Sequence, residues 1–298
     1  MTTLNEEDEA AEALEATGDF RVLRRIPKWR DEPPPEGARL KVGLMVDVET
    51  TGLDPETDTI IELGLVPFNY DAAGRVYTVG EAFQSFNDPG RPIPPEITEL
   101  TGITDDMVRG QAIDRAEVDE LLGVANFVVA HHAAFDRRFI EKIAPEAIKK
   151  PWGCSMSQVP WNAEGINGRS LEYISMKQGF FFDGHRAAED CRAAIHMLTR
   201  PLPRSSRLPL AALRTAAAKE TLRVWAEAAP FAVKDMLKKR GYKWSDGSAG
   251  KPKAWYFDTD DKARSELETD WLKAEIYCRP VPVRVDAFTF YERFSNRE

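Results

Sequence analysis

The fold is decided by one stretch, Val-Gly-Leu-Met-Val-Asp-Val-Glu-Thr-Thr-Gly-Leu at residues 42–53. The apolar run at its start is short enough for a single buried strand. Because alternate residues of a strand point to one face, Asp47 and Glu49 project together from the strand's end. Two such carboxylates repel each other unless a cation neutralises them, and their hard oxygens suit Mg²⁺ or Mn²⁺. The stretch predicts a metal-binding strand end, although a surface turn with incidental acids would read similarly.

A second acidic position follows another predicted strand, Asn126–Ala130. His131-His132-Ala-Ala-Phe-Asp136 comes directly after this strand, at the start of a predicted helix over Ala133–Ile143. An acid in the first turn of a helix is favourable with the helix dipole alone. Taken by itself, Asp136 is therefore explained as well by helix stability as by function.

The third segment, Gly-His-Arg-Ala-Ala-Glu-Asp at residues 184–190, opens a predicted helix over Arg186–Leu198. Asp190 lies about one and a half turns beyond His185, among mostly apolar neighbours, where a carboxylate needs a partner or a metal. A lone histidine at a helix start is more often structural. A histidine paired with a metal-facing aspartate suits a general base that activates water.

The order of elements predicts an α/β layered domain. Two further strands, Ile60–Phe68 and Arg75–Phe86, form a meander with the first, and strands then alternate with helices. We expect four regions along the chain: an acidic N-terminal tail and docking segment at 1–40, the main domain at 41–200, a linker and connecting helix at 201–228, and a small C-terminal module at 229–298. The connecting helix is predicted to cover Pro209–Ala228.

Composition indicates a cytoplasmic protein with no membrane contact. No apolar stretch approaches the roughly 20 residues needed to cross a bilayer, and three widely separated cysteines predict reduced thiols. The net charge of −9 disfavours a nucleic-acid partner at first sight. Seven acidic residues, however, precede the first basic residue, Arg21, and without them the remaining net charge is −2. Global acidity is therefore weak evidence against a nucleic-acid enzyme.

Together, the three segments resemble the DEDDh family of 3′–5′ exonucleases, within the ribonuclease H-like superfamily that includes the proofreading subunit of bacterial replicative polymerase. The matching motifs are Asp47-x-Glu49-Thr-Thr-Gly-Leu53, Phe135-Asp136 and His185-x4-Asp190. The sister DEDDy group has a tyrosine where this chain has Arg186. The resemblance covers about residues 42–198 and implies a mixed central sheet flanked by helices. One departure is His132, where the family has asparagine.

The resemblance also implies a site and a reaction. The two divalent ions, Mg²⁺ or Mn²⁺, would be held by four carboxylates: Asp47, Glu49, Asp136 and Asp190. His185 would act as general base, and the product would be a 5′-mononucleotide from the 3′ end of a nucleic acid. The implied substrate contacts are Thr50, Thr51, Leu53, Gly102, Ile103 and Phe135, with Leu53 wedged against the terminal base.

Several alternatives remain open at this level. Single-stranded DNA is favoured as the substrate. An exoribonuclease is the second interpretation, because the sequence does not reveal whether a residue contacts the 2′-hydroxyl of RNA. A catalytically silent nucleic-acid-binding module would lack a carboxylate or the histidine, and none is missing. A polymerase-tethered proofreading subunit would carry a clamp- or polymerase-binding peptide, and no Gln-rich motif is present, which favours a stand-alone repair or degradation nuclease. The sequence does not predict the oligomeric state.

The C-terminal module interleaves basic and aromatic residues. Lys234–Lys253 contains seven basic residues against two acidic ones, a pattern that suits single-stranded nucleic acid. The purely structural interpretation is that Trp244, Trp255 and Trp271 build a small core around a helix, a hairpin and a helix. We expect the tryptophans to form this core and the lysines to contact nucleic acid.

Overall fold

The computed structural model describes residues 6–298, and its secondary structure alternates as expected after an initial meander. Within these residues the α-helices are α1 (Glu6–Ala16), α2 (Pro95–Thr101), α3 (Asp105–Val108), α4 (Arg115–Val124), α5 (Ala133–Ile143), α6 (Ser155–Gln158), α7 (Leu171–Lys177), α8 (Ala187–Thr199), α9 (Pro209–Ala217), α10 (Lys234–Lys239) and α11 (Lys262–Trp271). The part of the acidic tail at residues 1–5 lies outside the described residues.

The strands of the same region are short except for two. They are β1 (Arg24–Arg25), β2 (Lys41–Thr50), β3 (Ile60–Tyr70), β4 (Val76–Val79), β5 (Phe83–Phe86), β6 (Phe127–Ala130), β7 (Trp152–Cys154), β8 (Phe180–Phe181), β9 (Thr221–Ala226), β10 (Lys243–Trp244), β11 (Trp255–Thr259) and β12 (Val285–Phe288). Short 3-10 turns cover Pro145–Lys149, Phe231–Val233 and Ser248–Gly250, and a π-helical turn, Leu272–Ile276, extends α11.

A mixed sheet forms the centre of the main domain. Its strands lie in the order β4-β3-β2-β6-β7, and β5 also pairs with β3. The pairs β2–β3, β3–β4 and β3–β5 are antiparallel, whereas β2–β6 and β6–β7 are parallel. The carboxyl ends of β2, β6 and β7 therefore meet at one edge of the sheet, which is the usual place for a site in an α/β domain.

Helices cover both faces of this sheet, and the alternation along β2 separates the two cores. Leu44, Val46 and Val48 pack with residues of α4 and α5, while Met45 packs on the other face with residues of α7, α8 and α9. All four of these β2 side chains are buried. The predicted mixed central sheet flanked by helices, with a small α+β module after it, is confirmed.

The prediction of one strand over Arg75–Phe86 is wrong, because the structure divides it into β4 and β5. The division lies opposite Pro67 of β3, which has no backbone N–H to donate to a ladder. The Pro67 carbonyl instead accepts from the N–H of Gly80, between the two short strands.

The prediction of a helix over Pro209–Ala228 is also wrong in its second half. The helix α9 ends at Ala217, and Thr221–Ala226 is strand β9 of the C-terminal sheet. The alanine-rich part favours a helix, but Thr221, Val224 and Trp225 are branched or aromatic residues that fit a pleated, half-buried surface. The C-terminal fold thus begins inside the expected linker.

The C-terminal module is a four-stranded antiparallel sheet in the order β10-β11-β9-β12, with α10 and α11 beside it. Trp255 and Trp271 pack against its core, whereas Trp244 is 50% exposed. The chain end attaches the module to the main domain, because the fully buried Arg137 of α5 donates to the carbonyls of residues 290, 291 and 293.

The N-terminal segment docks on the main domain near the end of α7. Strand β1 pairs in parallel with β8, and the N–H of Ile26 donates to the Phe181 carbonyl. The Arg25 guanidinium lies 2.7 Å from the Asp183 carboxylate. In residues 6–298, no helix is both long enough and apolar enough to span a bilayer.

Candidate active site

Asp47 and Glu49 lie on the face of β2 that α8 covers. They share the parity of Met45, whose side chain packs in the same cluster as Cys191 and Ile195 of α8. Asp190 projects from α8 toward the same place. The structure brings a carboxylate oxygen from each of Asp47, Glu49 and Asp190 within 4.8 Å of one another.

A glycine allows α8 to approach the sheet this closely. Gly64 is the residue of β3 that pairs with Asp47. A Cβ atom at Gly64 would lie 2.5 Å from the backbone carbon of Ala187, in the first turn of α8. Any side chain at this position would therefore push α8, and Asp190 with it, away from the two strand acids.

Asp136 reaches the site from the opposite side of the sheet and is not one of the three converging carboxylates. It lies in the first turn of α5 and is almost fully buried. Its carboxylate accepts backbone N–H groups, including that of Val48, which stands between the two acids of β2. Asp136 is also close enough for its charge to raise the pKa of Asp47.

The chain places a fifth carboxylate, Glu62, beside this group, and the sequence analysis missed it. Glu62 pairs with Glu49 across β2 and β3 and is fully buried. It accepts from the Arg186 guanidinium at 3.0 Å and from the Ala187 N–H at 3.1 Å, so it fixes the start of α8. A charged residue inside the apolar run Ile-Ile-Glu-Leu was the signal that could have revealed it.

The crowding of buried acids raises the pKa values of the carboxyl groups in the site. Burial, with the neighbouring acids, raises the pKa of Glu49 to about 8. Burial likewise raises the pKa of Asp136 to about 7 and that of Asp190 to about 7, and it raises the pKa of Asp47 well above the ordinary range of a carboxyl group. The charge of the Arg186 guanidinium acts in the opposite direction on Glu49, and this guanidinium is already paired with Glu62. The site therefore favours either protons or added cations.

His185 stands in the loop that leads into α8, two residues before the first helical residue. Its backbone has a φ of 65°, a left-handed conformation that a non-glycine residue adopts only where its surroundings impose it. The His185 backbone N–H interacts with the Asp190 carboxylate, which also accepts from the Arg186 N–H at 3.0 Å. The backbone of the histidine and the side chain of the aspartate in the third motif are therefore in direct contact.

The residues expected to contact substrate lie in different settings. The Leu53 side chain is 84% exposed, whereas Thr50 and Thr51 are buried, with Thr50 Oγ1 donating to the Gly52 carbonyl at 2.6 Å. The Ile103 side chain is fully buried in a small cluster with Ile61, so a contact from it would have to come from its backbone.

Two other expected contacts occupy the ends of short helices. Gly102 has a φ of 70° and ends α2, where it leaves the backbone open on one side. Phe135 is half-buried in α5 between His132 and Phe139, with ring centroids at 6.0 Å and 5.0 Å.

The two histidines before α5 differ in their contacts and in their exposure to solvent. His131 is held by Ser155 Oγ at 2.9 Å from Nδ1 and by the Arg169 carbonyl at 2.8 Å from Nε2. His132, which replaces the asparagine of the family motif, is exposed and stacks on Phe135. Burial of part of its ring and the charge of Arg138 lower the pKa of His132.

Comparisons with known proteins place this site in a family. A family model described as an exonuclease matches residues 44–198, just over half of the chain. A DNA polymerase III PolC-type of Clostridium perfringens is 35% identical over 161 residues, which cover 52% of this chain and 11% of that protein. A DNA polymerase III subunit epsilon of Treponema pallidum is 30% identical over 166 residues, which cover 51% of this chain and 73% of that protein.

The chain spans about a tenth of the length of the PolC-type relatives that it matches. Among solved structures, E. coli Exonuclease I in complex with a dA16 oligonucleotide superposes with a TM-score of 0.50 at 15% identity. The match covers 79% of this chain and 68% of that one, and it supports the ribonuclease H-like fold. The chain belongs to the exonuclease family, and its resemblance to the DEDDh group is thereby confirmed.

Proposed function

We propose that the protein is a 3′–5′ exonuclease that uses two divalent metal ions to release 5′-mononucleotides from single-stranded DNA. The convergence of Asp47, Glu49 and Asp190 at the carboxyl end of β2 carries this proposal. It has the oxygen-rich donor set that Mg²⁺ and Mn²⁺ prefer. The family match adds the class of reaction.

The residues present fit such ions. Four carboxylates with raised pKa values stand close together, and a divalent cation would replace the protons that they otherwise hold. Asp47, Glu49 and Asp190 would hold one ion, and Asp136, with Asp47, would hold the second. When bound, such ions lower the pKa of water and stabilise charge that develops on a phosphate.

His185 takes the proton from the attacking water in this proposal. The structure records no hydrogen bond to the His185 ring within residues 6–298, so neither ring nitrogen is committed to a protein partner. The left-handed backbone at His185 and the bond of its N–H with Asp190 hold the loop in one place. The ion pair between Arg186 and Glu62, at 3.0 Å, joins this loop to β3.

The substrate end would lie over the strand end of β2. Leu53 offers an exposed apolar side chain against which the terminal base can pack, and the half-buried Phe135 offers a ring on the other side. The backbone around Thr50 and the open face of Gly102 are the other proposed contacts. The names of the relatives refer to DNA polymerases, which favours DNA over RNA as the substrate.

The test is a time course on matched DNA and RNA oligonucleotides labelled at the 3′ or at the 5′ end, with Mg²⁺ and with Mn²⁺. We expect a 5′-labelled DNA strand to shorten stepwise, and a 3′-labelled strand to release labelled mononucleotide at once. The Asp190→Asn variant is the control for a contaminating nuclease, and it should be inactive. Internal cuts, release from the 5′ end, or equal activity of Asp190→Asn would overturn the proposal, and faster shortening of RNA would assign it to the exoribonucleases.

A further inference from the structure

A groove of about 530 Å³ lies between the main domain and the C-terminal module. One wall comes from the chain after β6 and β7, where His132, Arg138 and Met156 line it. The other wall comes from β10 and β11, with Lys243 and Tyr256. Because β2, β6 and β7 are parallel, the groove opens at the same edge of the sheet as the carboxylates of the candidate active site.

Most cations around this groove already have partners. The Arg223 guanidinium is held by Asp258 at 2.7 Å and 3.0 Å and by Glu298 at 2.7 Å. Arg293 donates to the backbone carbonyl of Ala217 at 3.0 Å. These two arginines hold the module together through these contacts.

Two cations that line the groove, Arg138 and Lys243, and a third beside it, Lys251, have no such partner in the described residues. Among the hydrogen bonds and ion pairs recorded for residues 6–298, none involves the side chains of Arg138, Lys243 or Lys251. The Nε of Arg138 is buried and has no acceptor. A buried charged donor without an acceptor is costly, so a ligand that supplies anionic oxygen would be bound favourably here.

Arg138 lines the groove with Lys243 and lies near Lys251. Lys251 is half-buried, and its burial lowers its pKa; the charges of Arg223 and Arg138 act in the same direction, against that of Glu298. The charge of Arg138 acts on Tyr256 across the groove as well. Like charges that face each other across a groove need counter-ions, and successive phosphates of a nucleic-acid strand would provide them.

The groove and the candidate active site lie on two sides of α5. His132 precedes this helix and lines the groove, Asp136 is in its first turn, and Arg138 is two residues further on. Lys243 and Tyr256 are paired across β10 and β11, and Tyr256 offers a ring on the groove side of this sheet. Bases stack on such rings while phosphates pair with lysine and arginine.

We infer that this groove binds the 5′ continuation of the single strand whose 3′ end is hydrolysed, with Arg138, Lys243 and Lys251 as its phosphate contacts. The inference rests on the proposed exonuclease function. It gives the C-terminal module a specific role in holding the strand upstream of the cleaved bond. Of the seven basic residues in Lys234–Lys253, it selects two, whereas Arg240, for example, is occupied by Glu268 at 2.6 Å.

The first test measures binding of a fluorescent oligothymidylate of about twelve nucleotides, in EDTA so that it is not cut. The variant carries Arg138→Gln, Lys243→Gln and Lys251→Gln. Losing one phosphate contact costs about fivefold, so we expect on the order of 100-fold weaker binding from all three. The dependence of log Kd on log salt should also fall by about 2, since each lost contact in a single strand contributes about 0.7.

The matched control carries Lys28→Gln, Arg39→Gln and Lys41→Gln. It also loses two lysines and one arginine, and these residues are exposed, without ion pairs in the described chain, and do not line the groove. We expect it to bind the oligonucleotide within about twofold of the unmodified protein, because distant exposed charges are screened by salt. Equal weakening in both variants would mean that net charge, and not the groove, governs binding, and would overturn the inference.

The second test separates the groove from the chemistry. The p-nitrophenyl ester of thymidine 5′-phosphate occupies only the cleaved position and cannot reach the groove. We expect the groove variant to hydrolyse this ester at the unmodified rate while its kcat/KM on the long strand falls by the same factor as its affinity. An equal loss on both substrates would show damage at the carboxylates and contradict the inference.

Failure of the proposed function gives a different pattern. If the unmodified protein hydrolyses neither substrate, the exonuclease proposal fails, and the binding comparison still decides whether the groove holds a strand. The contrary outcome is that the oligonucleotide binds both variants as tightly as it binds the unmodified protein, while an acidic peptide binds every protein except the groove variant. That result would assign the groove to a protein partner and contradict the inference.

Discussion

The stability of the metal-free protein should depend on pH through Asp190. Burial raises the pKa of this carboxyl from an ordinary value of 3.8 to about 7. Because the folded pKa lies above the unfolded one, the folded state holds the extra proton between these values. The stability it contributes is complete below about pH 4 and is lost as the pH rises through 7.

The magnitude follows from the proton count. A proton held only by the folded state changes the free energy of unfolding by about 1.4 kcal/mol per pH unit. Between pH 5 and pH 7 the change is about 2.3 kcal/mol, because the folded state has released half of this proton at pH 7. Other groups titrate in the same range. His196, for example, has its pKa lowered to about 4 by burial, and its effect on stability has the opposite sign. The informative quantity is therefore the difference in the free energy of unfolding between the unmodified protein and Asp190→Asn, because groups away from the site, such as His196, titrate alike in both proteins.

The assay is urea unfolding of both proteins in EDTA at a series of pH values. We expect Asp190→Asn to become more stable relative to the unmodified protein as the pH rises, by about 2.3 kcal/mol from pH 5 to pH 7. Saturating Mg²⁺ should reverse the order, because only the unmodified protein keeps the full set of carboxylates for the ion. A difference that does not change with pH would refute the assignment of Asp190 to a crowded, proton-holding site.

Three further predictions concern residues around the carboxylates. His185→Ala should lower kcat by about 10²–10⁴-fold while calorimetry shows unchanged Mn²⁺ affinity, and an unchanged rate would mean that another group accepts the proton. Glu62→Gln should weaken the contact to Arg186 and lower the free energy of unfolding in urea by about 1–3 kcal/mol. An unchanged free energy of unfolding would show that Glu62 does not stabilise the start of α8. Gly64→Ala should displace α8, costing about 1–3 kcal/mol and most of the activity, whereas Gly123→Ala, at an open helical position, should keep both. Retention of full activity by Gly64→Ala would contradict the close approach of α8 to β3.

The part of the site that the sequence predicted is the part that local periodicity controls. Asp47 and Glu49 share a face because strand residues alternate, and this requires no knowledge of the partner strands. The separation of His185 and Asp190 along the chain likewise predicted that they would be neighbours at the start of a helix. Asp136 needed the other two motifs, because a first-turn acid is common in helices without any function.

The features that the sequence did not predict depend on pairing between distant segments. Glu62 joins the site because the register of β3 on β2 sets it opposite Glu49, and single-strand patterns do not specify that register. The sequence predicts a helix where strand β9 lies, because the alanine-rich run before it has strong helix propensity. Pairing with β11 and β12 exists only in the folded chain. The groove at Arg138 arises in the same way, from the docking of the C-terminal module.

The proposed reaction depends on two metal ions held by the carboxylates of β2, α5 and α8. The most direct measurement is anomalous diffraction from crystals of the protein grown with Mn²⁺. We predict two peaks about 3.5–4 Å apart, bounded by Asp47, Glu49, Asp136 and Asp190. No peak among these four side chains, at a Mn²⁺ concentration that supports hydrolysis of DNA, would contradict the claim.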